Sequence, residues 1–366
     1  NTSEHWPLAD GLTASLKQSL ENALSDKQKK KLVSAENLVV RWMETRTALE
    51  IELWPEIVGL ARTVIGEAFS NKVVTPGVTT TDDLEWYIRQ RFESLQLPPW
   101  FQPHVNIQRR GDKVAKNSHF FGQGGRVVQR GDILHTDVGF CYLTLCTDTQ
   151  EMGYVLNKDE KSVPPGLIMA LAKGNQWQDL LTDQFKTGKT GNQILADNLA
   201  ANKKAGVLGT TDTHPIGFVG HAAGPTIGMW DNQGPTPVRG DWKLFPNTGY
   251  AIEGNIRTQL PEWDNEWIQI KLEQTSLFDG NKVIYLGSNI PFEDIKAVFE
   301  IHQPEFIYSI ISEVFTKEPI QKYVERIGNS FSQSDIILTG YRVLAQPLLC
   351  PKNIHIHENL GQTVDF

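Results

Sequence analysis

Residues 131–155 carry the sequence GDILHTDVGFCYLTLCTDTQEMGYV, in which apolar and β-branched residues alternate with polar ones. This alternation is typical of β-strands that bury one face. Asp137 and Asp148 lie eleven positions apart within the stretch. Two strands joined by a turn, or a bent hairpin, could bring the two carboxylates together. The stretch therefore predicts a pair of neighbouring acidic side chains.

The same stretch contains two of the three cysteines of the chain, Cys141 and Cys146. Along one extended strand, residues five positions apart point to opposite faces, which disfavours a disulfide between these two. We therefore expect both to be small buried side chains. The odd number of cysteines and their spacing match no zinc motif.

Further candidate ligands for metal lie downstream, each among apolar neighbours. A single acid in a strand is usually solvated at a turn or an edge, so each alone is weak support for a site. A buried acid is costly without a counter-charge, and bound metal would offset that cost. Four carboxylates and one imidazole match the ligands of two divalent ions, because carboxylates can bridge ions and imidazole suits first-row metals. The candidate set is Asp137, Asp148, His214, Glu253 and Glu273.

Composition narrows the classes of partner. The chain has 366 residues and a formal net charge of −8. A nucleic-acid partner is not expected, because phosphate binding requires a basic face. No apolar run reaches the ~20 residues of a membrane span, so a membrane is not expected either. We expect a soluble protein that is either cytoplasmic or exported after removal of a leader. A chain that begins with Asn1 fits a protein whose leader has been removed, or a fragment of a longer protein.

The patterns of helices and strands divide the chain into three parts. The sequence pattern predicts a polar helical segment at residues 1–45. It predicts an α/β (α+β) domain of amphipathic helices and strands at residues 46–285. Residues 286–366 predict a β-α-β, doubly wound segment, because apolar runs between helices are typical of buried parallel strands. Residues 283–286 fit the first of these parallel strands and also the last strand of the preceding domain.

The candidate ligands resemble those of the pita-bread metallopeptidase family, which includes methionine aminopeptidase, aminopeptidase P and prolidase. That family has five ligands in the order Asp, Asp, His, Glu, Glu, with the first two eleven residues apart. His214 begins its "His-x-Ile-Gly" loop and Glu253 its "Glu-x-x-Ile" turn. The resemblance spans roughly residues 45–287 and is closer to the proline-directed members. It implies the pita-bread (creatinase/aminopeptidase) fold, with residues 1–45 as the remnant of an N-terminal domain.

The resemblance also implies a function. The protein would bind two divalent ions (Mn, Co, Zn or Fe) and hydrolyse the N-terminal peptide bond of peptides, most characteristically Xaa-Pro bonds, by means of a metal-bridging hydroxide. Glu253 would act as general base as well as ligand. The partner would be a peptide substrate, and a homodimer is left open.

Three histidines near the ligands have different expected roles. His221 follows His214 by seven residues, and His119 precedes Asp137 by eighteen, which are the family's spacings. The resemblance implies that both hold the substrate carbonyl and stabilise the tetrahedral intermediate, or shuttle the proton of the amine. His135 shares the strand face of Asp137, and a packed histidine is the simpler interpretation of it.

The chain departs from the family at several positions. Ala222 and Ala223 stand where an acid usually follows the second histidine, and Lys271 stands in the last ligand strand, where an arginine is common. The tail, 282–366, resembles the later part of a cobalamin-binding regulator domain, a partial flavodoxin-like segment, but lacks the loop with the cobalt ligand, so no cobalamin is expected. Two alternatives are a non-catalytic pita-bread binding protein and a ligand sensor that acts through the tail.

Overall fold

A computed structural model of the chain describes residues 3, 5–112, 125–286, 292, 295–296, 299–300, 303–311, 319–344 and 346–357. They form two compact units, Asn1–Ser288 and Asn289–Phe366. Within these described ranges, every helix is too short or too polar to cross a membrane.

The longer helices of the first unit begin at sequence-encoded caps. Thr47, Thr80 and Thr190 each accept a hydrogen bond from the third helical residue, whose side chain returns to the backbone N–H of the threonine. This reciprocal pair satisfies two backbone donors at the start of each helix. The helices are α1 Ala14–Ala23, α2 Asp26–Lys29, α3 Glu36–Glu44, α4 Ala48–Ala68, α5 Thr81–Ser94, α6 Pro165–Thr182 and α7 Gly191–Ala205.

The strands of the first unit form one antiparallel sheet and a small hairpin. The sheet has the order β1-β2-β5-β9-β8-β6, with β10 paired to β9 and β7 to β8. The strands are β1 His104–Gln108, β2 Ile133–Val138, β3 Cys141–Tyr142, β4 Leu145–Cys146, β5 Thr149–Tyr154, β6 Leu208–Thr211, β7 His214–Ile216, β8 Thr248–Leu260, β9 Glu266–Phe278 and β10 Val283–Tyr285. Because β10 pairs antiparallel with β9, residues 283–285 belong to this sheet and not to the parallel strands of the tail.

Helices cover one face of the sheet in two apolar clusters. The first cluster joins α4 and α5 to β1 and β2, and the second joins α6 and α7 to β8 and β9. On β2, Leu134 packs in the first cluster. In the second cluster, Trp177 fills the space left by Gly209 and Gly254, where an added Cβ would lie 2.4 Å from a ring carbon. Since side chains alternate along a strand, Asp137 and Glu253 point to the face away from these helices.

The hairpin β3–β4 corrects the expectation for the cysteines. Cys141 and Cys146 form a disulfide, with their Cα atoms 4.0 Å apart. They are direct cross-strand partners. The chain reverses at Leu143 and Thr144, which both have positive φ. The expectation was wrong because it treated the stretch as one extended strand, whereas a two-residue turn places residues five apart opposite each other.

The second unit contains a parallel sheet of its own. Strands β11 Phe306–Ile310, β12 Asp335–Thr339 and β13 Ile354–Ile356 pair in that order. The helix α8, Ile320–Ser330, follows β11, and the short α9, Tyr341–Leu344, follows β12. Apolar side chains of α8 and β12 form the core of this unit. The domain limits 45/46 and 285/286 and the flavodoxin-like assignment of the tail remain predictions.

Candidate metal centre

Four neighbouring strands place four polar side chains in one row across the sheet. Asp137 on β2 pairs with Gln150 on β5, Gln150 pairs with Glu273 on β9, and Glu273 pairs with Glu253 on β8. Directly paired residues of antiparallel strands point to the same face, with Cβ atoms about 5 Å apart. The pairing register therefore brings three of the predicted ligands together with a buried amide among them.

Asp148 joins this row from the residue just before β5. It lies two positions before Gln150 and so faces the same side of the sheet. Its backbone N–H donates to Thr275 Oγ1 at 2.9 Å, and Thr275 Oγ1 donates to its carbonyl at 2.8 Å. This pair of hydrogen bonds fixes Asp148 beside β9, where Glu273 lies.

His214 closes the site from the first position of β7. Its Nδ1 lies 3.1 Å from the carbonyl of Pro215, and donation there directs Nε2 toward the acids. Nε2 lies 3.4 Å from Asp148 Oδ2, 3.6 Å from Glu273 Oε1 and 3.9 Å from Glu253 Oε2. An imidazole held in this way is the usual form of a metal-binding histidine.

The ligand atoms gather in overlapping groups whose members lie within 4.8 Å of one another. One group contains His214, Glu253 and Glu273, a second contains Asp137, Asp148 and Glu273, and a third contains Asp148, His214 and His221. Glu273 and Asp148 each belong to two groups. The first two of these groups thus offer neighbouring sets of ligand atoms that are joined by the carboxylate of Glu273.

Three atoms in these groups are buried without a hydrogen bond of good geometry among the described residues: Asp137 Oδ1, His214 Nε2 and Glu273 Oε1. A buried polar atom without a partner is unfavourable. All three belong to candidate ligands. The residues present therefore fit a bound cation, which would satisfy the three atoms together.

The charges of the site lead to the same conclusion. Burial raises the pKa of Asp137 and of Glu273 well above the usual range, and raises the pKa of Glu253 to about 8, with neighbouring carboxylates adding to each shift. Burial lowers the pKa of His214, but the nearby carboxylates of Asp148 and Glu273 raise it by more, so that it lies well above the usual value. Divalent cations would relieve this repulsion and keep the acids ionised.

Lys271 lies on the same face of β9 as Glu273, two residues earlier, and is only 3% exposed. Burial lowers the pKa of its ammonium to about 8, while the charges of Glu253 and Asp137 oppose that shift. Lys271 thus supplies a buried positive charge beside the acids.

His221 lies at the edge of the site, and its predicted role toward the substrate remains a prediction. Its ring centroid is 4.4 Å from that of His214 and 5.1 Å from that of Trp100. Trp100 packs against Gly139 and Gly220, where an added Cβ would lie 2.3 Å and 2.2 Å from indole atoms. Glycine is required at both positions for the indole to reach His221.

Some positions near the site were predicted but not tested, and others were not predicted. His119 lies outside the described residues. Ala223, which stands near the position of the family's acid, is buried against Trp6 and Val40. Gln150 and Trp100 were missed. The only sequence signal for Gln150 was its position two residues after Asp148, and Trp100 gave none.

The sequence of the chain matches a known family of proteins. The sequence model described as metallopeptidase family M24 matches residues 56–279. The chain belongs to metallopeptidase family M24. The match confirms the predicted family, and with it the metal-dependent peptidase class. No curated protein matches this M24 chain.

Solved structures similar to this M24 chain share its fold. An X-Pro aminopeptidase from Thermotoga maritima has 17% identity and a TM-score of 0.56, with 76% of this chain and 71% of that chain covered. A dipeptidase from Pyrococcus horikoshii has 17% identity and a TM-score of 0.54, with 77% and 78% covered. An Xaa-Pro dipeptidase from Bacillus anthracis has 18% identity and a TM-score of 0.53, with 76% and 71% covered. The predicted pita-bread fold is confirmed.

Proposed function

We propose that this M24 chain is a dinuclear metallopeptidase that hydrolyses the N-terminal peptide bond of peptides with proline in the second position. The observation that carries the proposal is that the group of His214, Glu253 and Glu273 and the group of Asp137, Asp148 and Glu273 share the carboxylate of Glu273. Asp137 would hold one ion and His214 with Glu253 the other. Manganese, cobalt, zinc and iron all suit this donor set of oxygens and one imidazole.

The residues around the ions have distinct proposed roles. Bound divalent ions would supply Lewis acidity and lower the pKa of a coordinated water. Glu253 would accept the proton of that water and return it to the leaving amine. His221, exposed at the edge of the site and 4.4 Å from His214, would donate a hydrogen bond to the carbonyl oxygen as charge develops on it. His119 would share that task.

The preference for proline rests on two kinds of support. Two of the similar structures are named as X-Pro and Xaa-Pro peptidases. Trp100 presents an indole beside His221, and a flat aromatic wall suits the apolar, rigid ring of proline. A peptide is therefore the proposed partner.

The proposal is tested by Asp148→Ala, with Asp197→Ala as its control. Asp197 is an exposed acid on α7 that pairs with Lys189. Asp148→Ala removes a shared carboxylate, so both bound metal per chain and hydrolysis of Xaa-Pro dipeptides and longer Xaa-Pro peptides should be lost. Asp197→Ala should keep both. Metal analysis of the purified proteins and a peptide-cleavage assay provide the measurements.

Two results would reject the proposal. Hydrolysis by Asp148→Ala at the wild-type rate would show that the ligand assignment is wrong. Fewer than one divalent ion per wild-type chain, with no cleavage of Xaa-Pro peptides, would favour the non-catalytic binding protein instead.

A further inference from the structure

A buried glutamine lies at the centre of the proposed metal centre. Gln150 is 3% exposed and lies between Asp137 and Glu273 in the cross-strand row. Its Nε2 donates to Glu253 Oε1 at 2.6 Å and to Glu273 Oε2 at 2.9 Å. One amide group therefore contacts both of the glutamates that are candidate ligands.

The orientation of this amide follows from its neighbours. The NH₂ group of Gln150 faces Glu253 and Glu273, whose carboxylates only accept hydrogen bonds when bound cations keep them ionised. The amide oxygen then faces His135 Nε2, which lies 2.8 Å away. Since that oxygen only accepts, His135 must carry its proton on Nε2. His135 thus holds the amide in the orientation that serves the acids.

The hydrogen bonds divide the oxygens of each glutamate into two kinds. Glu253 Oε1 and Glu273 Oε2 are taken by the amide. The other oxygens, Glu253 Oε2 and Glu273 Oε1, are the ones that lie 3.9 Å and 3.6 Å from His214 Nε2. Glu273 Oε1 is also one of the buried atoms without a hydrogen bond. In each glutamate, the oxygen that the amide does not contact therefore lies on the side of His214.

We propose that Gln150, held by His135, is a positioning residue that orients the carboxylates of Glu253 and Glu273 for metal binding. This inference rests on the proposed function, because it assumes that the two glutamates are ligands. The amide restrains each carboxylate in a rotamer suited to binding before metal arrives. Groups that orient ligands in this way typically contribute 10–100-fold to metal affinity.

The test compares Gln150→Leu with Gln178→Leu in calorimetric titrations with Mn²⁺ alone. Gln178 is also buried, and its Nε2 donates to the carbonyl of Ile252, the residue before Glu253, at 3.2 Å. Both variants exchange a buried glutamine for leucine next to β8, but Gln150 alone of the two contacts the carboxylates. We expect Gln150→Leu to weaken Mn²⁺ binding about 10- to 100-fold and Gln178→Leu to leave it unchanged.

A second pair of variants tests the role of His135. His135→Gln keeps an N–H donor for the amide oxygen, whereas His135→Leu removes it. We expect His135→Leu to weaken Mn²⁺ binding and His135→Gln to restore most of it. The visible absorption of the Co²⁺-loaded proteins adds a readout of ligand geometry. Gln150→Leu should change this absorption, because the carboxylates of Glu253 and Glu273 would no longer be held in one orientation.

The outcomes separate this inference from the proposed function. If the wild type binds no Mn²⁺, Zn²⁺ or Co²⁺, the proposed function fails and the inference fails with it. If the wild type binds Mn²⁺ and Gln150→Leu binds it equally well with an unchanged Co²⁺ spectrum, the inference alone is overturned. Equal weakening by Gln178→Leu would also overturn it, because the effect would then come from general loss of packing.

Discussion

At the residue scale, Glu44 shows how burial sets the behaviour of one charge. Its side chain is 3% exposed at the end of α3. Arg41 Nη1 lies 3.1 Å from one carboxylate oxygen, and Trp242 Nε1 donates to the other at 3.1 Å. Burial nevertheless raises the pKa of Glu44 to about 7, against the lowering effect of both partners.

This raised pKa predicts a pH-dependent stability. Between the ordinary pKa of 4.5 and about 7, the folded state holds the proton of Glu44 more tightly than the unfolded state does. Glu44 thus contributes fully to the free energy of unfolding below pH 4.5. This contribution is lost as the pH rises through 7, so the wild-type protein becomes less stable. Glu44→Gln removes this dependence. From pH 5 to pH 8, its stability relative to wild type should rise by about 2 to 3 kcal/mol.

Urea unfolding of both proteins at the two pH values measures this change. The comparison cancels the other buried acids, which are common to both proteins. A stability difference between Glu44→Gln and wild type that is the same at pH 5 and pH 8 would contradict the assigned pKa.

At the element scale, the β3–β4 hairpin connects the two aspartates of the site to the histidine loop. The backbone N–H of Cys146 donates to the carbonyl of Gly217 at 2.8 Å, and Trp54 Nε1 donates to the carbonyl of Cys146 at 2.9 Å. Gly217 lies between His214 and His221 in the sequence. The hairpin therefore supports the loop that carries both histidines.

Reduction of the disulfide in this hairpin should destabilise the protein modestly. Cys141 and Cys146 close a loop of only six residues, for which the chain-entropy relation gives about 2 kcal/mol. We expect the free energy of unfolding, measured with and without a dithiol reductant, to fall by that amount. Cys350→Ser, which removes the exposed free thiol, serves as the control and should show the same fall. Identical denaturation midpoints for the oxidised and reduced protein would contradict the prediction.

At the scale of the whole molecule, each of the two compact units has an apolar core of its own. The clusters that support the candidate metal centre lie within the first unit, and the second unit has a core of its own around α8 and β12. A compact unit with its own core is expected to fold independently.

A fragment that ends at Ser288 should therefore keep the activity of the site. We expect it to bind Mn²⁺ with the same stoichiometry as the full chain, to cleave the same peptides and to unfold in one cooperative transition. Calorimetric titration, a cleavage assay and urea unfolding measure these properties. A fragment that folds but binds no metal would show that the second unit contributes to the site, and would favour the reading in which the tail acts as a sensor.

The candidate ligands could be predicted from the sequence because their signals are local. The spacing of Asp137 and Asp148, the loop at His214 and the turn at Glu253 each lie within a few residues, and strand alternation indicates which side chains share a face. The same local signals were sufficient for the family and the fold class. They failed at Cys141 and Cys146, where the position of a two-residue turn decided the pairing.

Only the tertiary structure decided which strands lie side by side. Gln150 contacts Glu273 across 123 positions of sequence, and the register between β5 and β9 places it there. Trp100 reaches His221 because two glycines distant in sequence leave room for its indole. Such contacts depend on how strands and loops far apart in the chain pack, and residue order alone does not specify that packing. The sequence by itself determined the candidate metal ligands, and the packing of the sheet determined which residues contact them.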